Sequence, residues 1–104
     1  MSKFYNILGS VGVDHELIAP GEDNNIKAVS ITNLRSSSDA TVSLFIQDDP
    51  ASGSTSTFNI IYKIAIPPKS TLFLDNPNMF IFGREFGLYA NTGSSDTIDI
   101  IVNQ

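Results

Sequence analysis

The chain has 104 residues, a formal net charge of -5 and no cysteine, which fits a single domain and excludes disulfides, thiolate metal ligands and thiol nucleophiles. Its basic residues are scattered singly, at Lys3, Lys27, Arg35, Lys63, Lys69 and Arg84. A nucleic acid or an anionic membrane would require them to be concentrated on one face, so we expect neither as a partner.

Charged residues make up only 16% of the chain, against about 25% in an average globular domain. The surface must therefore be covered largely by Ser, Thr, Asn and Gly. No apolar run approaches the roughly 20 residues needed to span a bilayer. The N-terminal stretch is broken by Asn6, Gly9 and Gly12, which is atypical of a signal peptide, and we expect synthesis in a cytoplasm.

Short alternating runs, rather than amphipathic helix patterns, predict strands along the whole chain. In the first half these are residues 3–11, a short segment ending at Pro20 and Gly21, NNIKAVSITNL and ATVSLFIQDD. Alternation directs Val42, Leu44 and Ile46 to the core. Residues 50–57, rich in Ser and Thr, are expected to form a long mobile loop.

The second half continues with TFNIIYKIAIP, STLFLD, FGLYAN and TIDIIVN. Alternation in the first of these predicts one shared face for Phe58, Ile60, Tyr62, Ile64 and Ile66, and Pro67 and Pro68 end that strand. NTGSSD, between the last two strands, is interpreted as a hairpin loop. Short strands with regular turns predict an all-β antiparallel β-sandwich, jelly-roll-like, as one domain over residues 1–104.

Several large apolar side chains fall on the face opposite to the core-directed ones, because successive residues of a strand point to opposite sides. They are Phe45, Ile61, Phe73, Tyr89 and Ile101. Such a set, if it clusters, exceeds what a monomer usually exposes and marks a protein interface. Alternatively, some members are covered by the N-terminal strand or by the connection from Met79 to Phe82.

Few residues of the chain are candidates for catalysis or metal binding. His15 is the sole histidine and lacks the second His or Cys that a zinc site requires. Asp48 and Asp49, and likewise Asp96 and Asp99, sit where turn formation is their common role. The nucleophile elbow GxSxG and the phosphate-binding glycine patterns are absent. We therefore expect no catalytic residue, no cofactor and no metal, and we predict that the protein is not an enzyme.

The pattern IPPKSTLFLDN followed by FGLYANTGSSDTIDIIVN resembles the small β-sandwich virion proteins of tailed bacteriophages. The likeness covers roughly residues 17–104. These proteins usually carry Gly-Asp ahead of the penultimate strand, where this chain reads GREFG at 83–87. The resemblance implies a capsid decoration or cement protein, made in the bacterial host cytoplasm and located in the virion.

The implied partners are the major capsid protein or other virion proteins, together with further copies of the chain, a trimer being one form. A neck, tail or fibre component is the nearest alternative. A second alternative is a carbohydrate- or receptor-binding module, which needs aromatic platforms. The chain has no Trp, and of its three tyrosines, Tyr5, Tyr62 and Tyr89, one is expected to be buried.

Overall fold

A computed structural model describes residues 2–9, 13–48 and 56–104 of the chain. Within these residues lie eight strands and one short 3-10 helix. The strands are β1 (Lys3–Leu8), β2 (His15–Ile18), β3 (Ala28–Asn33), β4 (Ala40–Asp48), β5 (Thr57–Ile66), β6 (Thr71–Leu74), β7 (Phe86–Thr92) and β8 (Thr97–Asn103), and the helix spans Pro77–Phe80. The predicted loop at 50–57 lies mostly outside the described residues, as does Asp49.

The strands form two four-stranded antiparallel sheets. The first, called sheet I, has the order β1-β8-β3-β6, and the second, sheet II, has the order β2-β7-β4-β5. Consecutive strands lie in different sheets throughout, except for β4 and β5, which pair with each other. This is the strand order of an eight-stranded jelly roll. The predicted all-β sandwich is therefore confirmed, and the radius of gyration of 13.2 Å is that of one compact domain of this length.

The core lies between the two sheets and is aliphatic. The period-two pattern of β3, β4, β7 and β8 places their inward residues as predicted, because both sheets bury one face only. Fully enclosed side chains from these strands include Val29, Ile31, Val42, Leu44, Leu88, Ile98, Ile100 and Val102. Leu72 and Leu74 of β6 pack against the same cluster.

The segment NTGSSD is not a hairpin loop, so that prediction was wrong. β7 belongs to sheet II and β8 to sheet I, and the segment carries the chain from one sheet to the other. Buried Asp96 holds this crossing, where its carboxylate accepts hydrogen bonds from Thr41 N and Thr92 Oγ1, each at 3.1 Å. These hydrogen bonds satisfy the buried carboxylate at the point where the chain crosses between the sheets.

Strand β5 departs from simple alternation. Its partners along β4 are Ile64 for Val42, Ile61 for Leu44 and Phe58 for Ile46, with register shifts between these pairs. The β5 residues that pair with the inward residues of β4 are thus three residues apart, since each shift adds one residue to β5, as a β-bulge does. Lys63, with φ of 49°, marks one shift, and its N–H donates to Ser43 Oγ at 2.9 Å.

The bulges correct two predictions. Ile61 packs against the core, so the prediction that it points away from the core was wrong. Tyr62 was predicted to share a face with Phe58 and Ile64, yet it lines a cleft on the outer face of sheet II. Each added residue exchanges the two faces of the strand, and the sequence pattern carries no mark of where that happens.

Candidate functional site: two outer sheet faces

The outer face of sheet I carries a continuous row of side chains that crosses all four strands. The strand register aligns Phe4 of β1, Ile101 of β8, Ser30 of β3 and Phe73 of β6, and these four residues, three of them apolar and one a serine, are called the apolar row. Phe4 is 72% exposed and Phe73 55%. With neighbouring strands about 4.8 Å apart, the row spans about 14 Å of backbone. Two of the predicted interface residues, Phe73 and Ile101, therefore lie in one line.

A polar row runs beside the apolar row. It consists of Asn6, Asp99, Thr32 and Thr71, aligned by the same register. Asn6 donates its amide N–H to Asp99 Oδ1, and the hydroxyls of Thr32 and Thr71 lie 2.8 Å apart. These pairs keep the polar groups in fixed positions. An apolar line flanked by ordered polar groups has the layout of a protein interface, with an apolar centre and a polar rim.

A shallow hollow opens where the two rows meet. Its volume is about 140 Å³, and it is lined by Phe4, Asn6, Asp99 and Ile101 among others. A hollow of this size accepts one side chain of a partner.

Phe45 and Tyr89 require a correction. Both were predicted to offer apolar surface to a partner. Neither belongs to the core cluster, but each is only 5% exposed. They lie directly opposite each other on β4 and β7, and their rings stack with centroids 5.9 Å apart. The Tyr89 hydroxyl donates to Glu16 Oε2 at 3.2 Å. The two rings therefore cover one another within the chain and leave little surface for a partner.

Beside this stacked pair, the outer face of sheet II holds an open cleft of about 300 Å³, called the polar cleft. It is lined by Asp14, Ser43, Phe45, Gln47, Thr57, Asn59, Tyr62, Lys63 and Asn91. Tyr62 is 60% exposed, and Lys63 Nζ lies 5.2 Å from the centre of its ring. The bulges of β5 create this lining, because they turn Tyr62 and Asn59 to the same outer face as Phe45.

The His and Asp residues considered above for catalysis or metal binding occupy the following positions in the fold. His15 lies on the edge strand β2, opposite Ala90, and its Nε2 is buried without a hydrogen-bond partner among the described residues. Asp99 belongs to the outer face of sheet I, as predicted. Asp48 Oδ1 accepts from Ser56 N at 2.7 Å. In the described part of the chain, no group of three or more His, Asp or Glu residues is placed to hold a metal ion.

Two ionisable groups are tuned by their surroundings at the edge shared by β1 and β2. Burial raises the pKa of the Tyr5 hydroxyl, and the carboxylates of Glu22 and Glu16 raise it further. That hydroxyl donates to Leu17 O and so links sheet I to sheet II. A hydrogen bond from Ala19 N and the charge of Lys3 lower the pKa of Glu22. Both arrangements hold the sandwich edge together.

Sequence reasoning missed Phe4 and Tyr62. Phe4 lies in a predicted strand, but the sequence does not show which strands pair with that strand. Its alignment with Ile101 and Phe73 could therefore not be predicted. Period-two alternation would have placed Phe4 outward, because it is three residues from the buried Ile7 and next to Tyr5, which shares the face of Ile7. Tyr62 was assigned to the wrong side because the bulges of β5 leave no signature in the residue pattern.

Comparison with known proteins gives no match: no family model, no curated protein and no solved structure is similar to the chain at a significant level. The jelly-roll assignment therefore depends on the strand order. Among the described residues, no helix is long and apolar enough to cross a membrane.

Proposed function

We propose that the protein is a non-enzymatic structural component of a phage virion, most simply a capsid decoration or cement protein, and that it docks through the outer face of sheet I. The observation that carries this proposal is the apolar row, which places Phe4, Ile101 and Phe73 in one line on a solvent-facing sheet. A soluble monomer gains nothing from aligning aromatic side chains in water, and such a patch is typical of a surface that is covered in an assembly.

The physical role of the row follows from its composition. Interfaces concentrate their binding free energy in a few aromatic anchors surrounded by contacts that exclude water. Phe4 and Phe73 lie on the two edge strands of sheet I, and the smaller side chains of Ile101 and Ser30 lie between them. A partner surface with a complementary ridge would bury both rings together. The partner is a capsid subunit or another virion protein, and a second copy of the chain uses the same face where the protein self-associates.

The test of this proposal begins with the phage genome that encodes the chain. Purified particles should contain the 11.3 kDa chain as a stoichiometric component, measured by quantitative mass spectrometry. Particles from a phage lacking the gene should regain it when purified protein is added to them. Absence of the chain from washed wild-type particles would contradict the proposal, as would its presence only in trace amounts.

A further inference from the structure

The polar cleft on sheet II lies on the face opposite to the apolar row, so the docking proposed for sheet I leaves it open. Its volume of about 300 Å³ lies at the lower end of small-molecule pockets. It thus suits a ligand of one or two rings rather than a peptide segment or a folded partner.

The polar groups of the cleft include both hydrogen-bond donors and acceptors. The amide of Asn91 is oriented by its bonds to Val13 O, at 3.1 Å, and Asp14 Oδ1, at 3.0 Å. Gln47 donates to Thr57 Oγ1 at 3.0 Å, which fixes its amide in turn. Asn59 makes no side-chain hydrogen bond to any other described residue, so its donor and acceptor both remain for a ligand.

The charges of the cleft balance, because Asp14 and Lys63 are its ionisable carboxylate and its cation. An anion such as phosphate would meet one lysine in a protein of net charge -5, and a cation would find one carboxylate already bonded to Asn91. A neutral ligand avoids both costs.

An aromatic wall completes the cleft. Tyr62 is largely exposed, while the stacked Phe45 ring forms part of the floor. A ligand that fits must therefore present an apolar face to a ring and hydroxyl groups to fixed amides. Sugars combine these two features, since the C–H face of a pyranose lies against an aromatic ring and its hydroxyls both donate and accept.

We propose that the polar cleft binds a neutral saccharide of one or two rings, with Tyr62 as the stacking platform and Asn59, Gln47 and Asp14 as the hydrogen-bonding groups. This inference is independent of the proposed virion role. Variants of the apolar row should bind the sugar normally, and variants of the cleft should still dock.

The test uses the full chain, an array of neutral glycans, and NMR titration with lactose, maltose and the methyl glycosides of glucose, galactose and mannose. At least one of these probes should shift the amide signals of β4 and β5 around Asn59 and Tyr62. Tyr62→Ala and Asn59→Ala should each weaken binding between about twofold and tenfold, the ratio that corresponds to one ring contact or one hydrogen bond.

Phe58→Ala is the matched control, because Phe58 is an exposed aromatic on the same strand that faces the other side, against Phe86. It should leave sugar affinity unchanged. The inference is overturned if no neutral glycan or sugar shifts these signals. It is equally overturned if Tyr62→Ala and Phe58→Ala behave alike, or if inorganic phosphate or a short peptide binds the cleft in place of the sugars.

Discussion

Asp96 offers a sharp test of how the jelly roll is held together at its crossing from sheet II to sheet I. Asp96 is 3% exposed, and its carboxylate accepts three hydrogen bonds. They come from Thr41 N, Thr92 Oγ1 and Arg35 Nη1, each at 3.1 Å. The substitution Asp96→Ala removes all three acceptors at once.

The expected loss follows from what each donor does after the substitution. Thr41 N and Thr92 Oγ1 lose their acceptor in a buried site, and an unsatisfied buried donor costs about 1–3 kcal/mol. The Arg35 side chain is one-third exposed, so its ion pair is screened and contributes less than about 1 kcal/mol. We expect Asp96→Ala to lower the free energy of unfolding by about 3–4 kcal/mol, a large part of the stability of a small domain. Asp96→Asn keeps an acceptor oxygen and should cost about 1–2 kcal/mol.

Urea unfolding followed by circular dichroism measures these differences. With an m value of about 1.5 kcal/mol per M, Asp96→Ala should lower the midpoint by about 2 M. Arg35→Ala and the exposed control Asp39→Ala should each move it by less than about 0.7 M. If Arg35→Ala costs as much as Asp96→Ala, the ion pair rather than the two buried neutral donors holds the crossing, and the reasoning fails.

Other substitutions test the outer faces and the sandwich edge. Phe45→Ala should lower stability by about 3 kcal/mol because its ring is buried against Tyr89, whereas Phe73→Ala should cost less than about 1 kcal/mol; equal losses in urea midpoint would contradict the burial assigned to the stacked pair. Tyr5 has a raised pKa in the folded state, so its stabilising contribution is complete below its unfolded pKa of about 10 and is lost as pH rises beyond it. Wild type should therefore lose more stability between pH 9 and 11 than Tyr5→Phe does, and parallel losses in urea unfolding would refute this. Ile81 is an apolar residue that is 79% exposed and lies outside the outer faces of both sheets. Ile81→Asp should therefore leave the urea midpoint and the oligomeric mass in native mass spectrometry unchanged, and a shift in either would show that Ile81 has a contact that the fold does not reveal.

The strands and their inward faces could be predicted because local rules govern them. Leu72 and Leu74 face the core while Phe73 faces outward, since a half-buried strand alternates with period two. The buried faces of β4 and β8 follow for the same reason. Fold class then follows from the number and spacing of such strands.

Strand partnership was less accessible from the sequence. Proximity along the chain suggested a hairpin between FGLYAN and TIDIIVN, but β7 and β8 lie in different sheets. The deciding interaction is the buried carboxylate of Asp96, whose partners Thr41 and Arg35 lie more than 50 residues away. A long-range polar contact leaves no local pattern.

The two outer sheet faces likewise combine features that local sequence rules predict with features that depend on strand pairing. Outward placement of Phe73 and Ile101 was predictable strand by strand, whereas their alignment with Phe4 depends on the order of strands in sheet I. Burial of Phe45 and Tyr89 depends on their being opposite each other across β4 and β7. The shape of the polar cleft depends on the bulges of β5, which the residue pattern did not indicate.

The most direct test of the docking surface compares incorporation of variants into particles that lack the chain. The double variant Phe4→Asp with Phe73→Asp places two charges on the apolar row, and Ile81→Asp places one elsewhere. The account predicts that the double variant still folds, with a cooperative unfolding transition, yet fails to bind the particles, while Ile81→Asp binds as wild type does. Normal incorporation of a folded double variant would contradict the assignment of this face as the docking surface.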